Sequence, residues 1–174
     1  MLRMSIDNIK KYMSQDIVCQ NWHHWKTTNC YAYSLRLDVF ENEICNLAFE
    51  PGHIGYNANG TNTGRIETPE EAVEFMLHDL DALGISYEEV NDPINGGKPL
   101  DMDEDSWDIL VFMESEEELL PGFHYAIMGS DGKLYHKLGW HLKPKETTIE
   151  HINSFGYQYY KMFRVKLNKE KGSK

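Results

Sequence analysis

Apolar positions along this chain follow first a helical rhythm and then a strand rhythm. Over residues 1–20, Ile6, Ile9, Tyr12, Met13 and Ile17 recur at spacings of three or four, a weak amphipathic helix. The stretch Thr27-Thr28-Asn29-Cys30-Tyr31-Ala32-Tyr33-Ser34-Leu35-Arg36-Leu37 predicts a second helix, with Thr28 or Asn29 as its N-cap. The clearest helix begins at Thr68, the N-cap, with Pro69 at the first helical position and Glu71 completing a capping box. Val73, Met76, Leu77 and Leu80 form its apolar stripe, and Gly84 ends it.

From Trp107 onward the period shortens. Ile109-Leu110-Val111-Phe112-Met113 is a continuous apolar run of strand length, which predicts a central strand buried on both faces. Phe123 to Met128 and Lys133 to His136 read as two strands joined by a turn, and Tyr157 to Val165 as a final strand. Tyr87 to Val90 is a further short strand. Helices first and an antiparallel sheet afterwards make an α+β fold, with N-terminal helices packed on a central sheet. The expected organisation is one domain over 1–166, carrying an insertion over 40–105, and a flexible basic tail over 167–174. In that insertion Pro51-Gly52, Gly55, Asn57-Ala58-Asn59-Gly60 and Asn62-Thr63-Gly64 are turn signals in quick succession, which predicts an irregular flap beside a site.

Composition narrows the function classes. A chain of 174 residues with 41% hydrophobic and 12% aromatic residues suits one globular domain. A net charge of -11 argues against a general nucleic-acid or anionic-membrane binder, because both need a basic footprint. The basic residues concentrate only between Lys166 and Lys174, and the acidic runs Asp101 to Asp105 and Glu114 to Glu118 read as solvated surface. Three cysteines (Cys19, Cys30, Cys45) cannot all pair within the chain and form no Cys-x-x-Cys, so a reducing, cytoplasmic setting is expected. The chain opens on no apolar signal-peptide core and contains no membrane-length run. Eight histidines, among them His23, His24 and His53, offer metal ligands, but no His-Glu-x-x-His spacing organises them. Neither a metal nor another cofactor is therefore expected.

The candidate chemistry lies in Phe123-His124-Tyr125-Ala126-Ile127-Met128-Gly129-Ser130-Asp131-Gly132-Lys133-Leu134-Tyr135-His136. Side chains alternate between faces along a strand, so His124, Ala126 and Met128 share one face. A three-residue loop Ser130-Asp131-Gly132, with Gly132 left-handed, pairs Lys133 with Gly129 and His136 with Ala126. His136 is then diagonal to His124 on the same face, roughly 7–8 Å away along the backbone. A two-residue Asp131-Gly132 turn would send His136 to the opposite face, leaving His141 as the substitute. Cys30, in the first turn of its helix, has the backbone N–H groups and the helix dipole to favour a thiolate. The expected centre is an ion pair of Cys30 and His124, with His136 fixing the orientation of the base. The Cys30 N–H is an oxyanion donor, and Gln20 a candidate second one. Asn29, Tyr31, Trp25 and Gln20 are assigned to substrate binding.

A helix-borne Cys30, the strand Trp107-Asp108-Ile109-Leu110-Val111-Phe112 and the pair His124 and His136 across a hairpin together resemble the NlpC-type cysteine peptidases of the papain-like superfamily. The related CHAP amidases share the cysteine and the first histidine. The matching stretches are 28–38 and 106–140. The resemblance implies a papain-like core and a cysteine hydrolase that opens an amide, peptide or isopeptide bond through a thioester. Resolution by an amine or alcohol instead of water would make it an acyltransferase or transglutaminase. The alternative from another class is a non-enzymatic phage or host-interaction protein on the same scaffold.

Overall fold

The computed structural model describes residues 6–23, 26, 28–38, 50–91, 102, 105–114, 122–139 and 141–168. Trp25, His24, Cys45, Trp140, most of both acidic runs and nearly all of the basic tail lie outside these residues. Among the described residues the elements run α1 (Ile6–Lys10), α2 (Cys30–Ser34), α3 (His53–Asn59), α4 (Pro69–Leu83), β1 (Ile85–Glu89), β2 (Ser106–Glu114), β3 (Phe123–Met128), β4 (Leu134–His136), β5 (Lys145–Thr147), α5 (Ile149–Asn153) and β6 (Tyr157–Leu167). The fold is α+β. Six strands form one antiparallel sheet in the order β1-β6-β2-β3-β4-β5. No described helix is long and apolar enough to cross a membrane.

The continuous apolar run does become the centre of the sheet. β2 is buried from Ser106 to Met113 and pairs with β6 on one side and β3 on the other. Trp107, Ile109, Val111 and Met113 face one layer, joined by Tyr125 and Ile127 of β3, Phe163 and Val165 of β6, and residues of α1, α2 and α4. Leu110 and Phe112 face the other, with Ala126, Leu134, Met162 and Ile152 of α5. The sheet therefore has two unequal apolar layers, which explains a β2 with no alternation in its sequence. Its one buried acid, Asp108, is held by Arg164 from β6 through two charge-assisted bonds of 2.9 and 3.1 Å.

α4 has the ends its sequence announces. Thr68 accepts from the Glu71 N–H while Glu71 accepts from the Thr68 N–H, and Gly84 closes the helix in the left-handed region. α2 is shorter than predicted. It stops at Ser34 because Arg36 takes a positive φ of 59° and Leu37 then forms a bridge with Met13. That costly backbone state is held by the Arg36 side chain, which donates to the Ser14 carbonyl at 2.6 Å and lies 4.7 Å over the Trp107 ring.

The described part of the predicted flap, residues 50–67, is built into the fold. α3 packs on α4 so closely that a Cβ on Gly55 would lie 2.8 Å from the His78 carbonyl oxygen. Buried Asp79 of α4 ties it down, accepting from the N–H groups of Gly52 (2.8 Å) and Gly55 (2.7 Å) and from the Tyr31 hydroxyl (2.6 Å). Pro51-Gly52 and Gly60 flank a short helix that contains Gly55 and Asn57 to Asn59, and its carboxylate partner lies more than twenty residues downstream. The segment 40–105 likewise supplies α4 to the larger core and β1 to the sheet edge.

Candidate active site

The hairpin has the three-residue turn. Gly132 donates to the Gly129 carbonyl at 2.9 Å, Gly129 donates to the Lys133 carbonyl at 3.1 Å, and Gly132 sits at φ 73°. Asp131 steadies the turn by accepting from the Lys133 N–H and the Tyr135 hydroxyl. Ala126 pairs with His136 and Met128 with Leu134. His124 and His136 consequently share a face, and His124 Nε2 lies 3.2 Å from His136 Nδ1 with the rings nearly perpendicular. Both histidines are buried, at 3% and 4% exposure. His141 is exposed and plays no part in this contact.

The neighbours of the pair come from the smaller layer. The rings of Phe112 and Tyr157 lie tilted beside His124, while His151 and Phe155 approach His136 with ring centroids 6.2 and 6.4 Å away. The face carrying the histidines is thus the α5 face. Cys30 belongs to the other side, packed with α2 against the larger core. Its sulfur reaches the sheet at the backbone N–H of Tyr125, the residue after His124, and that N–H lowers the thiol pKa. β4 pairs with β3 only from Ala126 to Met128, so β3 has no β4 partner over residues 123–125. Cys30 and the two histidines thus do not share a face of the sheet, which the register argument required. No hydrogen bond joins the sulfur to either histidine.

Asn29 is the N-cap of α2, its Oδ1 accepting from the Ala32 N–H at 2.9 Å. This contact occupies a side chain that had been assigned to substrate. Tyr31 corrects the sequence reading outright: it is fully buried, donates to Asp79, and its ring lies 4.9 Å from that of Tyr125. A residue so enclosed cannot touch substrate. Gln20 is exposed in the turn before Trp22, and Trp25 lies outside the described residues.

The electrostatics favour neutral groups at rest. Burial pushes the half-buried Cys30 thiol up to about 11, against the lowering effect of the backbone N–H groups of Tyr125, Tyr31 and Cys30 and of Lys137. Burial, followed by His136, brings His124 down to about 3. Burial, followed by His151 and Lys145, brings His136 down to about 4. These directions favour the neutral thiol and neutral imidazole over the expected thiolate–imidazolium ion pair. A five-residue helix carries too short a dipole to offset the desolvation of a buried charge.

Three residues near the site escaped the sequence reading. Lys137 is fully buried, and strand alternation from His136 would have directed it to the cysteine side. His151 and Phe155 come from α5 and the turn after it, a helix whose signal is a Thr148 N-cap without an apolar stripe. Among the described residues no group of three or more His, Cys, Asp or Glu side chains is arranged to hold a metal ion. Comparisons with protein-family models, curated proteins and solved structures find no match.

Proposed function

We propose that this protein is a cysteine hydrolase of papain-like, NlpC-type design, acting on an amide or peptide bond. The observation that carries the reading is the buried 3.2 Å contact between His124 Nε2 and His136 Nδ1. With Nε2 engaged by His136, Nδ1 is the ring nitrogen of His124 left to act on Cys30. With its Nε2–H donated to His136, His124 is the tautomer that can accept a proton at Nδ1.

In the reaction His124 Nδ1 takes the Cys30 thiol proton as the sulfur bonds to the carbonyl carbon and the π electrons move to oxygen. First-turn N–H groups of α2 meet that oxygen. Collapse re-forms the carbonyl and breaks the C–N bond, and His124 returns the proton to the departing amine. Water, deprotonated by His124, then displaces the sulfur from the thioester, yielding a carboxylic acid and the free thiol. Neutral thiol and neutral imidazole at rest make this a general-base mechanism in which charge appears only along the reaction path.

A second reading, a non-enzymatic binding protein on the same scaffold, draws support from the missing sulfur–imidazole hydrogen bond. The two separate on incubation with a panel of peptide acyloxymethyl ketones followed by intact-mass and peptide mapping. The hydrolase reading expects one adduct at Cys30, abolished in Cys30→Ala and at least tenfold slower in His124→Gln. Labelling that is equally fast in His124→Gln, with the variant folded by circular dichroism, overturns it.

A further inference from the structure

Two buried tyrosines stand next in the chain to the two reacting residues. Tyr31 follows Cys30 on α2, Tyr125 follows His124 on β3, and both are fully buried. Their rings are in contact, with centroids 4.9 Å apart. Both hydroxyls end on α4: Tyr31 donates to Asp79 Oδ2 at 2.6 Å, and Tyr125 donates to the Ala72 carbonyl at 2.9 Å. Ala72 and Asp79 lie about two helical turns apart, and so on the same side of α4. Asp79 is itself held, because the Gly52 N–H also donates to its Oδ2 and the Gly55 N–H donates to its Oδ1. Phenylalanine at either position would fill the same space with no hydroxyl to satisfy. Each phenol therefore does more than fill volume, since a fully bonded buried polar group specifies one arrangement of its neighbours.

We propose that Tyr31, Tyr125 and Asp79 are positioning residues that set Cys30 against His124, with α4 as the common rest for the nucleophile's helix and the base's strand. The role rests on the hydrolase reading and names what fixes the approach of its two reacting groups. None of the three side chains meets substrate. α2 has only five residues, and its N-cap Asn29 bonds within the helix's own first turn, so its place against the sheet is fixed from outside. β3 is paired with β2 but lacks a β4 partner over residues 123–125, the part that bears His124. Each reacting residue thus stands on a segment with little local support, and the adjoining tyrosine ties that segment to the longest described helix. Loss of either hydroxyl frees its segment to shift, and a shift of about 1 Å between reacting groups costs up to about a hundredfold in rate.

The test uses a peptide acyloxymethyl ketone that labels Cys30, with the rate at saturating reagent and the half-saturating concentration measured separately. Tyr31→Phe and Tyr125→Phe keep both rings and remove one hydroxyl each. Each is expected to lower the saturating rate about tenfold or more and to leave the half-saturating concentration unchanged, since no contact with the reagent is lost. Iodoacetamide labelling of Cys30 in the same variants reads access to the sulfur and should stay as in the wild type. A merely structural defect would loosen the fold and raise it, and that result overturns the proposal. So does an undiminished saturating rate in Tyr31→Phe, folded by circular dichroism. Should Tyr31→Phe fail to fold, Tyr125→Phe decides by the same two readings. Tyr31→Phe combined with Asp79→Asn should lose no more than the larger single loss, because the two side chains share one bond. Additive losses would mean that Asp79 does not act through Tyr31, and they too overturn the proposal. Ketone labelling that survives Cys30→Ala or ignores His124→Gln sinks the hydrolase reading, whereas labelling that needs both residues yet ignores the phenols sinks the positioning role alone.

Discussion

Two buried neutral histidines make the folded state sensitive to mild acid, and the sensitivity can be isolated by subtraction. Each ring has a folded-state pKa below its unfolded value of about 6.5, namely about 3 for His124 and about 4 for His136. A base depressed in this way binds fewer protons when folded, so the stability it confers is complete above pH 6.5 and is lost as pH falls toward the folded value. Between pH 7 and pH 5 that loss is about 1.8 kcal/mol for each histidine, or about 3.5 kcal/mol for the pair. Asp79 works in the opposite sense. Burial lifts its carboxyl to about 7, so its protonated form is favoured in the fold and acidification over the same window returns about 2 kcal/mol. The wild-type protein should thus lose only about 1–2 kcal/mol overall, which would conceal the histidine contribution. Guanidinium denaturation of the wild type, His124→Gln and His136→Gln at pH 7 and pH 5 removes the concealment. Each variant is expected to be less stable than the wild type at pH 7, and to lose about 2 kcal/mol less on acidification. If the pH dependence of both variants matches the wild type to within about 0.5 kcal/mol, less than the smallest linkage expected, the two rings are not neutral and buried. The general-base mechanism would then lose its starting state.

Two further substitutions test how the site is supported. Asp79→Ala would strand the Tyr31 hydroxyl and the N–H groups of Gly52 and Gly55, three buried donors, at a cost of about 3 kcal/mol or more in urea denaturation; a loss below about 1 kcal/mol would mean that α3 is not anchored there. Gly132→Ala places a Cβ at φ 73° and should cost about 1 kcal/mol. It should also weaken the nuclear Overhauser contact between the His124 and His136 rings, and an undisturbed contact would show that the register does not depend on this turn.

Much of the fold was written locally. Thr68, Pro69, Glu71 and Gly84 delimit α4 through contacts with residues three or four positions away, so no distant partner was needed to read them. The turn at Ser130, Asp131 and Gly132 is equally local, and it alone sets the register that brings His136 beside His124. Where an element depends on a distant partner, local reasoning stopped. Residues 50–67 looked like a loop because the group that organises α3 is Asp79, on another helix. α2 looked longer because the contacts ending it run from Arg36 to Ser14 and Trp107. The same division runs through the site. Sequence order and strand period determined which residue types stand in the hairpin and that the two histidines share a face. Tertiary packing decided which face that is, that Cys30 packs with the larger core on the other side, and that Tyr31 turns inward to Asp79. It decided the charge states too, because a pKa depends on how many atoms replace water around a group, and those atoms come from every part of the chain.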